Sequence, residues 1–176
     1  MGKLKCVFLD ADGVLNTAIM VNDKPAAPTS VDKLDIPDEV YPSLERLKEA
    51  GYMMVTITNK PDIERGLMTQ EDVDAIFAEM RKQLPQITEI FACFHEGAPC
   101  YKPKPGMILE AAKKYDIDLE QSFMIGDRCG DVACGKAAGV KTIWINRHYP
   151  LEPKPDPAAD FTTESLSQAI DHILGE

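Results

Sequence analysis

Two carboxylates, Asp10 and Asp12, close the apolar run in VFLDADGVLN (residues 7–16), one residue apart and followed at once by Gly13. In a strand, side chains at i and i+2 share a face, so both acids are expected on one side of a sheet. Like charges that close disfavour joint ionisation, and a cation, a proton or a metal-bound phosphate relieves the repulsion. Gly13 gives the backbone room to turn and to approach a ligand. Three later stretches carry polar groups in a similar way: Thr58 and Asn59 end TITN, Lys102 and Lys104 lie in KPKPGM, and Asp127 and Asp131 lie in GDRCGD. One carboxylate can attack phosphorus while a second protonates the leaving oxygen, and hydroxyl, amide and ammonium donors can stabilise the equatorial oxygens. Mg2+ would be held by a few carboxylates, waters and the phosphate itself. Singly, each residue has a plain alternative: an Asp-Gly turn, turn residues at Thr58 and Asn59, solvated lysines, helix-capping acids at Asp127 and Asp131. It is their joint occurrence that points to phosphoryl transfer.

The elements that must position these groups alternate between strand and helix. YMMVTIT (52–58), EIFACF (89–94), SFMIGD (122–127) and VKTIWIN (140–146) follow the first apolar run as expected strands. Between them, Val40, Leu44 and Leu47 recur at helical spacing before Gly51, and Thr69 with Asp72 offers an N-cap to the stripe Val73, Ile76, Phe77, Met80 and Leu84. Pro105 and Gly106 introduce a helix with Ile108, Ala111, Ala112 and Tyr115, and a last helix carries Leu166, Ile170, Ile173 and Leu174. Such alternation implies parallel βαβ units, a sheet covered on both faces, and functional groups gathered at the carboxyl ends of the strands. Residues 17–37 show no clear period and are expected to form a lid or substrate-facing loop beside Asp10. Trp144 is expected in the core.

Bulk properties narrow the class. At 176 residues, with 44% hydrophobic and 27% charged residues, the chain reads as one globular domain over 1–176. A net charge of −10 argues against a nucleic-acid surface, so an anionic substrate must be drawn by local cations and metal. The amino terminus lacks an apolar stretch of signal-peptide length, and no segment approaches ~20 apolar residues; a cytoplasmic protein without membrane partners is expected. Five cysteines, an odd number, favour free thiols or metal ligands over a disulfide framework. Cys129 and Cys134 read as small packing residues, and His148 and His172 lie far from any motif.

In order, DADGVLN, TITN, KPKPGM and GDRCGD resemble the signature motifs of the haloacid dehalogenase (HAD) superfamily of phosphatases. The resemblance implies a Rossmann-like three-layer α/β sandwich on a central parallel sheet, with no large cap domain. It implies Asp10 as a nucleophile forming an aspartyl-phosphate and Asp12 as the general acid that then activates water. Thr58 would hold the phosphoryl group, Lys102 would neutralise it, and Mg2+ would lie on Asp10, Asp127 and the Asp12 carbonyl, with Asp131 behind. Finer details (DGVLN, TN before IERG, Cys93-Phe94-His95 leading to Cys100, KPKPGMILEAA) resemble the capless branch of heptose-bisphosphate and histidinol phosphatases. That likeness implies a small phosphorylated metabolite, a sugar bisphosphate or alternatively histidinol phosphate; this chain's own candidates to meet it are Asn16, Asn59, Lys60, Arg65, Tyr101 and Arg128. It also raises a Zn2+ site on Cys93, His95 and Cys100 within a metal or substrate loop at 93–104. Here Ala98 takes the place of the fourth ligand, with Glu96 near enough to complete the set. The chain departs from the branch at Ala11 and Tyr101, where arginines are usual, and at Lys60-Pro61-Asp62, which replaces Gln-Ser-Gly. Outside enzymes, a receiver-type phosphoacceptor domain also uses an acidic metal site, a Thr and a Lys, but needs no general acid two residues beyond its phosphorylated Asp.

Overall fold

The computed structural model describes residues 2–176. Its centre is a six-stranded sheet, and the innermost strand is the first in the chain. That strand, β1 (Cys6–Leu9), is wholly buried, as expected of a continuous apolar run without polar alternation. It pairs in parallel with β4 (Met53–Asn59) on one side and β6 (Phe123–Gly126) on the other. Beyond them lie β5 (Glu89–Cys93), β7 (Lys141–Ile145) and β8 (Phe161–Thr163), giving the order β5-β4-β1-β6-β7-β8 with every pairing parallel.

Alternation along β1 sorts the core into two halves. Val7 and Leu9 pack with apolar residues of α1 (Val40–Glu49), α2 (Gln70–Gln83) and α5 (Leu166–Leu174). Cys6 and Phe8 pack on the opposite face with α3 (Gly106–Tyr115) and α4 (Cys129–Ala138). The result is the three-layer Rossmann-like sandwich that the resemblance implied, with no large cap inserted among the described residues. Helix ends follow local chemistry. Thr69 and Asp72 form the expected reciprocal cap of α2, and the chain leaves α1 through Gly51 at φ 83°.

One expectation needs correction, and one strand was not expected. Residues 17–37 are not without structure: β2 (Ile19–Val21) and β3 (Lys24–Ala26) form an antiparallel hairpin. Asn22 and Asp23 make its turn, both at positive φ, a conformation that Asn and Asp tolerate better than most residues. Strand β8 was not foreseen, because three residues between Asp160 and Glu164 are too few to show a period. Among the described residues no helix is long and apolar enough to cross a membrane.

Candidate active site

Asp10 follows β1, and its backbone N–H donates to the carbonyl of Ile125, 3.1 Å away, which ties it to β6. Asp12 sits beyond the strand, in the turn that Gly13 and Asn16 close. The two carboxylates therefore meet at one cavity through the turn, and not through strand alternation. Gly13, at φ 90°, has no tolerable substitute: a Cβ there would stand 1.9 Å from Asp127 Oδ2. Close approach of backbone to carboxylate is thus built into the DADG turn.

Lys102 is the hub beneath these acids. Its ammonium donates to Asp10 Oδ1 at 2.9 Å, Asp131 Oδ1 at 2.8 Å and the Ile57 carbonyl at 3.1 Å, using all three of its protons. Asn59 fixes the backbone of Lys102 with both ends of its amide, donating to the carbonyl at 3.1 Å and accepting from the N–H at 2.9 Å. Asp131 in turn accepts from the backbone N–H groups of Asp127 and Arg128 at the start of α4. Exposures of 6% for Asp10, 7% for Lys102, 1% for Asp127 and 3% for Asp131 mean that water screens little of this charge.

Three acids against one ammonium leave the floor of the cavity short of positive charge. Burial, and then the charges of Asp131 and Asp12, push the Asp10 carboxyl up to about 6 despite the opposing pull of Lys102. Burial and the neighbouring Asp10 and Asp131 likewise raise Asp127 well above the usual carboxylate range. For Lys102, burial works against the charged form, but Asp10 and Asp131 more than offset it and hold the amine protonated. Oxygens of Asp10, Asp127 and Asp131 lie within 4.8 Å of one another, and Asp127 Oδ1 is buried without a hydrogen-bond partner. A set of carboxylate oxygens with one of them left unpartnered suits a hard cation such as Mg2+.

Asp12, expected as the general acid, is held separately. Asp12 accepts from Lys60 at 2.5 Å through one oxygen and from Asn16 at 3.0 Å through the other. Lys60 and Asn16, which the sequence suggested as substrate contacts, are buried at 3% and 1% exposure and serve Asp12. Asn59 borders the cavity, but its amide is committed to Lys102. Thr58, Arg65, Tyr101 and Arg128 do face the cavity of about 900 Å³. Lys104, the other lysine of its motif, turns away to the carbonyl of Gly97.

The zinc expectation is not supported. Cys93 and Cys100, with Cα atoms 5.7 Å apart, are joined as a disulfide, so neither thiolate is available to a metal. His95 is exposed and turned toward Glu64, while Glu96 is paired with Arg65. This disulfide also corrects the expectation of free thiols or metal ligands over disulfides; Cys6, Cys129 and Cys134 are free.

Sequence reasoning missed the supports of Asp127. Tyr149 donates to its Oδ2 at 2.7 Å, and the Trp144 indole N–H donates to its carbonyl at 3.0 Å. Glu152 was missed too: it binds Arg128 Nε at 3.1 Å and the Cys129 N–H at 2.9 Å. These residues reach the site by folding back, and no local pattern marks them.

A model of the HAD-hydrolase-like family matches residues 99–169, the stretch that carries Lys102, Asp127 and Asp131. A crystal structure of D,D-heptose 1,7-bisphosphate phosphatase from B. bronchiseptica, complexed with magnesium and phosphate, superposes with a TM-score of 0.82 at 27% identity, covering 98% of this chain and 99% of that one. The chain belongs to the HAD superfamily of phosphatases. Among its relatives, D-glycero-beta-D-manno-heptose-1,7-bisphosphate 7-phosphatase of Helicobacter pylori strain 26695 is 34% identical over 98% of this chain and 99% of its own length. The enzyme of the same name from Pasteurella multocida is 30% identical over 97% of each chain. The protein is therefore an enzyme of the phosphatase class, and the receiver-type reading is set aside.

Proposed function

We propose that the chain is one domain acting as a Mg2+-dependent phosphomonoester hydrolase through an aspartyl-phosphate on Asp10, and that its substrate is a small sugar bisphosphate. The observation that carries the reading is a buried Asp10, held by Lys102 and facing a cavity of about 900 Å³, beside an Asp127 oxygen with no partner. The names of the relatives support the substrate class.

Asp10 and Asp127, with the Asp12 carbonyl, would hold Mg2+, and Asp131 would steady its water shell from behind. When bound, the ion supplies positive charge against the phosphoryl oxygens. Asp10 attacks phosphorus as the bond to the leaving oxygen breaks, and Asp12 delivers a proton to that oxygen. Asp12, now a carboxylate, takes a proton from water, which attacks the same phosphorus and releases inorganic phosphate from Asp10. Lys102 stays charged throughout and offsets the negative charge shared by Asp10 and the transferring group, while the Thr58 hydroxyl donates to a phosphoryl oxygen. Lys60 and Asn16 keep Asp12 aimed at the leaving group. The hairpin of β2 and β3 forms the lid.

A phosphate-release screen over phosphorylated sugars and amino alcohols, histidinol phosphate included, tests this reading with and without Mg2+. Mg2+-dependent turnover strongest on a sugar bisphosphate is the expected result. Turnover unaffected by chelation, or highest on histidinol phosphate, contradicts it.

A further inference from the structure

Besides Lys102, the cavity that Asp10 lines carries four cations, Lys24, Lys33, Arg65 and Arg128, in a chain whose net charge is −10. They are not equally free to meet an anion. Arg65 is paired with Glu96. Arg128 is paired with Glu152, whose side chain is only 7% exposed and is fixed a second time by the Cys129 N–H. Each arginine and its glutamate sum to zero, and an incoming phosphate would have to displace an acid already in place.

Lys24 and Lys33 have no such partner: among the described residues neither has a carboxylate within 4.0 Å. Lys24 opens β3, while Lys33 ends a single 3-10 turn (Val31–Lys33) that packs against α2. The Lys33 ammonium donates to Thr29 Oγ1 at 3.1 Å, which leaves two of its protons unused. Thr29 also lines the cavity, as do the apolar Ile19, Val21 and Ala26 of the hairpin. The cavity therefore offers a carbon skeleton an apolar surface and a second anion two unpaired ammonium groups.

We propose that Lys24 and Lys33 recognise the second phosphate of the substrate and so set the preference for a bisphosphate over a monophosphate, with Arg65 and Arg128 as neutral, ion-paired walls. The inference rests on the phosphatase reading above and adds the residues that select the substrate. Its test is the ratio of kcat/KM on heptose 1,7-bisphosphate to that on the 7-monophosphate, measured in the wild type, in the double variant Lys24→Gln, Lys33→Gln, and in Arg65→Gln. Both lysines are exposed on surface segments, so the double variant is expected to fold. The ratio should fall about tenfold in the double variant, chiefly through KM, in keeping with the loss of charge-assisted contacts. Arg65→Gln should lower it less. A ratio retained in the double variant, a larger loss in Arg65→Gln, or a wild type that turns over both compounds without preference overturns the proposal alone. A wild type that hydrolyses neither compound, nor any other phosphomonoester, overturns the underlying reading with it.

Discussion

Lys102 and Arg65 both line the cavity and both pair with acids, yet their side chains are 5% and 54% exposed. Lys102 meets two carboxylates and a carbonyl, and its own backbone is clamped by Asn59. Arg65 meets one exposed glutamate. Buried charge of this kind has a large effect when one partner is removed, because the other is left uncompensated; an exposed pair is screened and contributes little. The floor of the site is thus fixed for a reaction, and the rim is free to vary with the substrate.

Four experiments would break or sharpen that contrast. Asp10→Asn should lower turnover by about four orders of magnitude or more while circular dichroism shows the fold retained, since a nucleophile cannot be replaced by an amide. Retained turnover would remove Asp10 from its role. Lys102→Met should cost about 3 kcal/mol of stability in chelator, a drop of roughly 10 °C in Tm, together with nearly all activity. An unchanged Tm would mean that the buried acids do not depend on the ammonium.

A smaller effect concerns protons. Asp10 is pushed up to about 6 by burial and by Asp131, so in the metal-free protein it takes up a proton as pH falls through that value. Mg2+ bound as proposed would have to displace that proton. Titration calorimetry should find its affinity weaker by about tenfold at pH 5 than at pH 7, and a flat profile would contradict a carboxylate site of this kind. Smallest of all, Arg65→Gln should change stability by less than about 1 kcal/mol in a denaturant titration, as expected of an exposed pair. A change as large as that for Lys102→Met would erase the distinction between floor and rim.

The same contrast governs what could be read from the chain. The gathering of Asp10, Thr58 and Asp127 was legible because each stands at or just beyond a strand end in a short motif, with Lys102 in the loop after β5, and strand ends converge on one edge of a parallel sheet. Lys60 was misassigned: sequence shows a cation beside TITN but not that its ammonium folds inward onto Asp12. Cys93 and Cys100 were read for zinc on the likeness to the capless branch, whereas their separation in space makes them a bridge. Tyr149, Trp144 and Glu152 were invisible as site residues, since their contacts with the GDRC stretch join positions 17 to 24 residues apart. The hairpin at 19–26 had a usable signal, Asn22-Asp23 between two short β-prone runs, that reading by period alone passed over.

The proposed covalent step is open to direct observation. Enzyme mixed with a sugar bisphosphate and Mg2+, quenched in acid within the first turnovers and treated with borohydride, should have its acyl phosphate reduced to an alcohol at position 10 alone. Peptide mass spectrometry should find that change in the wild type and not in Asp10→Asn. Turnover with no reducible adduct at residue 10, or with the adduct on another residue, would contradict an aspartyl-phosphate at the end of β1.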